Sequence, residues 1–393
     1  MNELEVRQSS TESLRPARRL RFMERLVLTI SGAAGVLGAI WMLLAGFNAG
    51  IQVFSVGVAI ALASVFGLRL ALRSHTLAAL VFGIVSTVAG VVLYRALDIA
   101  PDRVSGVGMG ASYWLVVVAA WLMAWGCVEQ MAAINSLTTS LRALLSVLIP
   151  LLFGCWLILL WELLTRGLDV PQVLLPSPSL IGDRLANSTS ILWADFRQTF
   201  LKAVLIGYFA GCSAGFVVAI LIDRSPFLQR GLLPIGNLVS ALPIVGVAPI
   251  MVMWFGFDWP SKAAVVIIMT FFPMLVNTVS GLAAASHMQL DLMKTYAAGY
   301  WQSLFKLRLP EALPFIFNAL KINSTLALIG AIVAEFFGTP IVGMGFRIST
   351  EVGRMNVDMV WAEIAVAAVA GSLFYGLIAL AERFFTFWHP SMR

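Results

Sequence analysis

The chain has 393 residues, of which 60% are hydrophobic and only 12% are charged, and its mean hydropathy is +0.91. This composition excludes an ordinary soluble globular protein and indicates a polytopic membrane protein. The formal net charge of +6 would also suit a nucleic-acid-binding protein, but no basic stripe alternates with aromatic residues in a soluble segment. We therefore expect the basic residues to set membrane topology, and we expect no nucleic-acid partner.

Residues 1–25 are polar and rich in arginine. We expect a retained cytoplasmic tail, because no small-residue cleavage site of a signal peptide follows the first apolar run. Beyond this tail come apolar runs of about 17–25 residues, the length that crosses the hydrocarbon core of a bilayer. The sequence predicts an all-α polytopic membrane protein with ten transmembrane helices, near residues 27–46, 51–70, 77–95, 113–133, 143–165, 198–222, 231–254, 262–285, 312–336 and 359–382.

The distribution of charge predicts how these helices are oriented. If residues 1–25 are cytoplasmic, arginine and lysine are more frequent in the inside segments, among them the segment at 291–310, than in the outside segments. Cytoplasmic segments of membrane proteins carry such an excess of positive charge. Both termini are therefore predicted to lie in the cytoplasm.

A polar segment, Asn135–Leu144, separates the first four apolar runs from the last six. We predict a domain boundary there, with an accessory four-helix membrane domain at residues 26–140 and a six-helix core at residues 141–393. The accessory domain could serve regulation or partner docking, or it could be a lipid-facing addition that packs on the core through small residues.

The motifs of catalysis and of nucleotide or metal binding are missing from the sequence. It contains no GxxxxGK[ST] loop, so the chain is not expected to bind ATP in that way. Gly211–Gly215 has the GxSxG pattern of a catalytic serine but lies in the middle of an apolar run, and we interpret it as helix packing by small residues. His75, His287 and His389 have no metal-ligand spacing. We expect no catalytic residue, metal site or cofactor in this chain.

The segment Asp291–Pro310 is the most informative stretch between apolar runs. Apolar residues recur there every three or four positions with basic residues between them. This spacing predicts an amphipathic cytoplasmic helix near residues 289–308. The helix should end at Leu309-Pro310, because proline lacks a backbone donor and disfavours helical geometry in the residue before it.

This segment resembles the cytoplasmic coupling loop of ABC importer permeases, whose pattern is Glu-Ala-Ala, three residues, Gly and later Leu-Pro. Aligned on Leu309-Pro310, the acidic position falls on Asp291, the alanines on Leu292 and Met293, and the glycine on Ala297. Similarity to the branch for nitrate, sulfonates, taurine, pyrimidine precursors and riboflavin extends over roughly residues 143–393. It is carried by Leu174–Ser179, Ala248–Lys262, Leu309–Lys321 and Phe387–Arg393.

The resemblance implies a permease subunit in the bacterial inner membrane that forms the gated path for a small organic solute. That solute would be a pyrimidine precursor or riboflavin-like, or else a sulfonate, taurine or nitrate. The implied partners are cytoplasmic ABC ATPase subunits that bind ATP and Mg, an extracytoplasmic solute-binding protein, a second permease copy in a homodimer, and membrane lipid.

In such a complex the coupling helix would fill a groove on the ATPase, and aromatic anchors would supply most of the affinity. The expected anchors are Tyr296 and Trp301, and a small residue would be needed at Ala297. The residues expected to couple to the ATPase are Asp291, Lys294, Tyr296, Ala297, Gly299, Trp301, Lys306, Arg308 and Pro310.

Polar residues inside the ninth apolar run are candidates for the translocation path. Asn318, Lys321 and Thr325 fall on nearly one stripe of a helix, and Glu335 follows at the end of the run. Polar groups are costly in hydrocarbon and usually face a cavity or another helix. The stripe is equally compatible with lining the path and with a seam of interhelical hydrogen bonds.

Pro243 and Pro249 lie in the seventh apolar run, where each removes a backbone hydrogen bond and should let the helix bend. The resemblance implies that this region lies at the permease dimer axis and helps to form the gate. Kinked lipid-facing helices are the alternative.

Two other functional classes fit the sequence less well. An ion-gradient-driven secondary transporter usually has repeated halves with discontinuous helices, and a division into four and six runs does not match that symmetry. A membrane-embedded enzyme would need paired acids or a nucleophile with its base, and the sequence offers neither in a suitable pattern.

Overall fold

The computed structural model describes residues 30, 57–63, 74–99, 111–134, 139–225, 227–228, 231, 234, 243–338 and 341–388. All regular secondary structure in these residues is helical, which confirms the predicted all-α fold. By packing, the chain divides into two compact units, residues 1–179 and 180–393. The predicted boundary between residues 140 and 141 separates an accessory domain from a functional core. It stays a prediction.

Helices before residue 178 form the first unit. Its core buries large side chains such as Phe82, Tyr113 and Leu163, and the Tyr113 hydroxyl donates a hydrogen bond to the carbonyl oxygen of Leu93 at 3.1 Å. The described helices here are α1 (His75–Ile99), α2 (Ala111–Ala132) and α3 (Thr139–Gly167).

From Pro178 onward the described elements alternate long helices with short ones. Two π-helical segments, Arg197–Val204 and Leu304–Arg308, continue directly into the helices that follow them. The helices are α4 (Pro178–Asn187), α5 (Thr189–Phe196), α6 (Leu205–Arg224), α7 (Ile244–Phe255), α8 (Trp259–Leu282), α9 (His287–Thr295), α10 (Tyr300–Ser303), α11 (Leu309–Glu335), α12 (Met344–Gly353) and α13 (Val357–Phe385).

Seven of the described helical stretches are long and apolar enough to cross a membrane, and each coincides with a predicted apolar run. A polytopic membrane protein is thereby confirmed. Part of the predicted run 231–254 and most of the runs 27–46 and 51–70 lie outside the described residues. The seven stretches are His75–Asp98, Tyr113–Ala132, Arg142–Gly167, Thr189–Arg224, Trp259–Leu282, Tyr300–Glu335 and Val357–Phe385.

The helix α8 lies at the centre of the second unit and packs on both α6 and α11. Its contact with α6 is made by three glycines four residues apart, so that backbone meets backbone. A Cβ atom at Gly207, Gly211 or Gly215 would lie 2.8, 2.8 or 2.5 Å from a carbonyl oxygen of α8. Close approach of this kind requires small residues. The GxSxG pattern is therefore a packing motif, as the sequence predicted.

Pro310 and Pro314 both lie inside α11, so the prediction that a helix ends before Pro310 was wrong. The chain is helical without a break from Tyr300 to Glu335. The reason is the π-helical turn Leu304–Arg308 that directly precedes the proline. Proline loses an α-helical hydrogen bond and clashes with the carbonyl four residues back, and the wider π turn relieves both effects.

Pro243 occupies a different position from the one predicted, whereas Pro249 lies inside a helix as predicted. Pro243 stands at the N-cap of α7, and only Pro249 lies inside that helix. The fixed φ angle of proline suits the start of a helix, so Pro243 begins α7 rather than bending it.

Candidate coupling surface and polar residues of the membrane interior

The segment between α8 and α11 begins with α9. Ser286 and Gln289 form a capping box, in which the Gln289 amide donates to the Ser286 hydroxyl at 3.3 Å and the Ser286 amide donates to the Gln289 side chain at 2.8 Å. These bonds satisfy backbone donors that a helix start leaves unpaired. Gln289 also donates to the Glu311 carboxylate at 3.1 Å, which ties α9 to the start of α11.

A turn interrupts the helix between α9 and α10, so the single helix predicted near residues 289–308 is two helices with a turn between them. The turn is centred on Ala297, whose φ angle of 50° lies in the left-handed region, and Gly299 caps the following helix. The left-handed conformation favours glycine over any residue with a side chain. Ala297 therefore occupies a position where the family's glycine would fit the backbone well.

Three side chains connect this segment to the C-terminal ends of two long helices, α6 and α8. Arg308 donates to both carboxylate oxygens of Asp223, at 2.8 and 2.6 Å, and to the carbonyl oxygen of Leu282 at 2.9 Å. The Tyr300 hydroxyl donates to the same carboxylate at 2.9 Å. We call Asp223, Tyr300 and Arg308 the Asp223 cluster. It joins α6, the end of α8 and the helix that leads into α11.

Aromatic contacts continue from the Asp223 cluster toward the surface. The Arg224 guanidinium lies 5.8 Å from the ring centroid of Tyr300 and 5.9 Å from that of Trp301. Trp301 in turn stacks on Phe305 at 5.9 Å. A cation over an aromatic face contributes about 0.5–1 kcal/mol at exposed sites, so these contacts orient Trp301 without burying it.

The outer side of the segment is a patch of exposed apolar side chains. Contiguous exposed apolar groups on a polar segment usually mark an interaction site. Among the coupling residues predicted from sequence, Asp291 and Lys294 lie beside this patch and pair with each other at 3.0 Å, and Lys306 is exposed. The patch, which we call the coupling face, consists of Met288, Leu292, Tyr296, Trp301 and Phe305.

The structure separates the predicted coupling residues into two groups. Tyr296, Ala297, Gly299 and Trp301 are exposed with Asp291, Lys294 and Lys306, whereas Arg308 and Pro310 are half-buried. Arg308 therefore belongs to the Asp223 cluster rather than to the exposed contact. Sequence reasoning missed Asp223 and Arg224, and only their position at the end of an apolar run could have suggested them.

The four candidate path residues of α11 lie in three different places. Asn318 and Thr325 are exposed on one side of α11, between the exposed apolar residues Phe315, Ile322 and Ile329. We call these five residues the α11 stripe.

Lys321 and Glu335 lie away from that stripe. Lys321 pairs with Glu382 of α13 at 2.7 Å, which provides the neighbour that a lysine so deep in an apolar helix requires. Glu335 is buried and accepts hydrogen bonds from Thr199 at 2.8 Å and from the Gly345 amide at 2.7 Å.

Two other polar groups of the interior, Asn323 and Lys262, were not among the predicted site residues. Asn323 is buried on α11 and donates to the carbonyl oxygen of Thr270 at 2.7 Å. Lys262 is buried and donates to the carbonyl oxygen of Phe257 at 2.6 Å, and also to that of Gly338. The bonds to Thr270 and Gly338 join residues distant in sequence, so no local pattern predicts them.

Asp258 caps the start of α8, just outside the membrane-spanning stretch. Its carboxylate accepts hydrogen bonds from the Trp259 amide at 2.8 Å and from Gln198 at 2.6 Å. The bond from the Trp259 backbone is the main cause that holds the pKa of Asp258 below its ordinary value.

Residues 203–393 match the family described as binding-protein-dependent transport system inner membrane component. The chain is 30% identical over 236 residues to a probable ABC transporter permease protein of Haemophilus influenzae, covering 60% of this chain and 96% of that protein. It is also 30% identical to the formylaminopyrimidine transport permease of Halalkalibacterium halodurans, covering 61% and 95%. A riboflavin transport system permease of Chloroflexus aurantiacus is 30% identical, with 60% and 88% covered.

Proposed function

Because this chain belongs to the family of binding-protein-dependent transport system inner membrane components, the permease subunits of ABC importers, we propose that its coupling face docks on a cytoplasmic ATPase. Members of this family are transport permeases rather than enzymes. In this proposal the ATPase subunits bind ATP and Mg, and the permease supplies the gated path. Among the described residues, no group of three or more His, Cys, Asp or Glu side chains could hold a metal ion.

The observation that carries the proposal is the exposed coupling face next to the half-buried Asp223 cluster. Tyr296 is 77% exposed and Trp301 is 50% exposed, a large apolar surface for a segment rich in charge. Aromatic side chains that enter a pocket supply most of the affinity of many interfaces. A partner that binds this face would contact α9 and α10 directly.

The Asp223 cluster would carry the movement of the coupling face into the membrane. Arg308 connects the segment to α6 through Asp223 and to α8 through the Leu282 carbonyl. The unbroken helix from Tyr300 to Glu335 connects it to α11. When ATP draws the ATPase subunits together, the inner ends of these three helices would move with the segment, and the path would change between inward-open and outward-open.

We assign the α11 stripe to the path and to contact with a second permease copy in a homodimer. Two polar side chains, Asn318 and Thr325, are exposed between apolar ones on the same side of α11. A surface of this mixed character suits a wet path bordered by a protein contact better than it suits lipid. A two-fold axis beside α11 would place both copies of the stripe on the path.

The orientation and the other partners follow from the same assignment. With the coupling face in the cytoplasm, both termini are cytoplasmic, and the opposite face of the membrane receives solute from an extracytoplasmic solute-binding protein. Lys306 is exposed beside the coupling face and would contact anionic lipid headgroups.

The proposed substrate is a small organic solute of the pyrimidine-precursor or riboflavin-like type, with sulfonates, taurine and nitrate as alternatives. The support is the similarity to a formylaminopyrimidine permease and to a riboflavin permease. Other relatives are permeases for taurine, at 28% identity, and for nitrate, at 26%. Reconstitution with the solute-binding protein, followed by identification of the solute that stimulates ATP hydrolysis, decides among them.

The docking proposal is tested by replacing Tyr296 and Trp301 together with alanine. The amount of ATPase that copurifies should fall about tenfold or more, while the permease keeps its elution volume in detergent. Tyr375→Ala, at another exposed aromatic residue, is the matched control and should bind normally. Wild-type ATPase binding by the double variant would contradict the proposal and favour a helix that merely lies among lipid headgroups.

The alternative of an ion-gradient-driven transporter gives a different result in vesicles. Uptake would then persist without the ATPase subunits and would be abolished by an ionophore. Our proposal requires the opposite on both counts.

A further inference from the structure

Three carboxyl groups lie buried together in the second unit, on three different helices. Asp195 of α5 and Glu363 of α13 are 0% exposed, and Glu335 of α11 is 2% exposed. Each belongs to a membrane-spanning stretch. A buried carboxyl group in a membrane-spanning stretch stays ionised only where hydrogen-bond donors or positive charges compensate the loss of water. The partners of each acid therefore decide whether it is charged.

The Asp195 carboxylate is fully supplied with donors. One oxygen accepts from the Gly343 amide at 2.6 Å, and the other accepts from the Arg347 guanidinium at 2.9 Å. Both donors belong to the start of α12. Asp195 therefore fixes α12 to α5, and its negative charge is matched by the positive charge of Arg347.

The Glu335 carboxylate is supplied in the same way. Thr199 donates to one oxygen at 2.8 Å, and the Gly345 amide donates to the other at 2.7 Å. The buried ammonium of Lys262 attracts this carboxylate and is itself held by carbonyl oxygens. Glu335 therefore also has donors and a counter-charge.

Glu363 differs from both. Within the described part of the chain, neither of its oxygens accepts a hydrogen bond. The charged groups that act on it are Asp195, Arg347 and Glu335. The one acid of α12, Glu351, accepts hydrogen bonds from Arg354 at 3.2 Å and from Asn356 at 2.8 Å, so its charge is offset by Arg354.

The charges of these buried side chains balance only if Glu363 is neutral. Arg347 and Lys262 offset Asp195 and Glu335, so an ionised Glu363 would be a third buried negative charge beside the Asp195 carboxylate. A neutral carboxylic acid, in contrast, carries an O–H that can donate, and Asp195 is the adjacent acceptor. Two carboxyl groups that share one site hold one proton between them.

We propose that Glu363 is a proton-binding site, in which the neutral acid donates its O–H to the Asp195 carboxylate and joins α13 to α5 and α12. Release of the proton to water leaves two carboxylates side by side. Their repulsion separates α13 from α5 and weakens the hold of Asp195 on Gly343 and Arg347. The position of α12 then depends on proton concentration.

The infrared spectrum of the full-length chain in lipid nanodiscs tests this directly. At neutral pH the wild type should show a carbonyl band of a protonated carboxylic acid that is absent from Glu363→Gln. Glu382→Gln, at an acid paired with Lys321, is the matched control and should keep the band. An unchanged band in Glu363→Gln overturns the proposal.

If Glu363→Gln does not fold, the wild-type protein alone can test whether Glu363 is protonated. Wild-type protein labelled with ¹³C-glutamate should then show the band shifted by the isotope and lost as the pH is raised. A spectrum with no glutamic acid band at neutral pH overturns the proposal.

The link to α12 is tested by thermal unfolding between neutral and alkaline pH. Because the folded state is stabilised by the protonated form, the wild type should lose stability as pH rises, whereas Glu363→Gln, which is always neutral, should lose less. Equal losses in the two proteins would contradict the proposed effect on α12.

Discussion

The guanidinium group of Arg308 binds both carboxylate oxygens of Asp223, 85 residues away in the chain, at 2.8 and 2.6 Å. The two side chains are only 19% and 11% exposed, so the pair is largely removed from water. A bidentate pair of this kind fixes both distance and orientation. It connects the C-terminal end of α6 directly to the helix that begins at Tyr300.

Removing Asp223 should therefore be costly. Asp223→Ala leaves the Arg308 charge half-buried without its partner, and the free energy of unfolding should fall by about 3 kcal/mol. Arg184→Ala breaks the more exposed pair with Asp358 and should cost about 1 kcal/mol or less. Thermal unfolding in detergent measures both, and equal effects would show that the Asp223 pair is not special.

The contact between Asp223 and Arg308 can also be tested for its part in coupling ATP hydrolysis to transport. Asp223→Arg and Arg308→Asp alone should each uncouple substrate-stimulated ATP hydrolysis from uptake, and the double exchange should restore part of the coupling. The measurement is the ratio of solute taken up to ATP hydrolysed. If the double exchange is no better than the single changes, the direct contact is not what carries the movement.

A smaller residue at position 297 should stabilise the protein, whereas a larger one should impair its contact with the ATPase. Because its φ angle is 50°, Ala297→Gly should raise the free energy of unfolding by up to about 1 kcal/mol. Ala298→Gly, at the next residue and without a positive φ angle, is the control and should not stabilise. Ala297→Leu should detach or uncouple the ATPase while the permease stays folded.

The contact between α6 and α8 predicts a large effect from a small change. In Gly211→Ala the new methyl group would lie 2.8 Å from the Ile267 carbonyl oxygen, and the protein should lose about 1–3 kcal/mol of stability. Gly376→Ala in α13 places its methyl group in open space and should be neutral or slightly stabilising. A harmless Gly211→Ala would mean that the two helices are less closely packed than described.

Asp258 predicts a pH dependence. Its pKa is lowered chiefly by the Trp259 amide, so its contribution to stability is present above the ordinary pKa of aspartate and is lost as the pH falls. Asp258→Ala should cost about 1 kcal/mol at neutral pH, and the difference from wild type should shrink in acid. A difference that stays constant on acidification would show that the charge of the cap is unimportant.

Local sequence patterns predicted the helices well, because the length of an apolar run and the spacing of its residues depend only on neighbours in the chain. They also selected Tyr296 and Trp301, which are exposed in the structure, and the role of these residues as anchors stays a prediction. They misjudged Pro310, because a π turn in front of a proline leaves no clear local pattern.

The partners of buried groups could not be predicted. Lys321 and Glu382 are 61 residues apart, and Asp195 and Gly343 are 148 apart. In an apolar chain many positions could hold such a partner, and packing in three dimensions selects one. The contact of Arg308 with Asp223 could not be predicted for the same reason, and the part of Arg308 in coupling stays a prediction.

The backbone contact between α6 and α8 also limits how the transport path can open. Side chains that interlock can slip past one another by changing rotamer, but carbonyl oxygens that face glycine hydrogens at three successive turns have no such freedom. The two helices should therefore tilt together as one rigid body. If the end of the pair at Asp223 moves in one direction, the end at Lys262 should move in the opposite direction. The size of the movement that opens the path would then depend on the length of this rigid pair of helices and not on repacking of side chains between them.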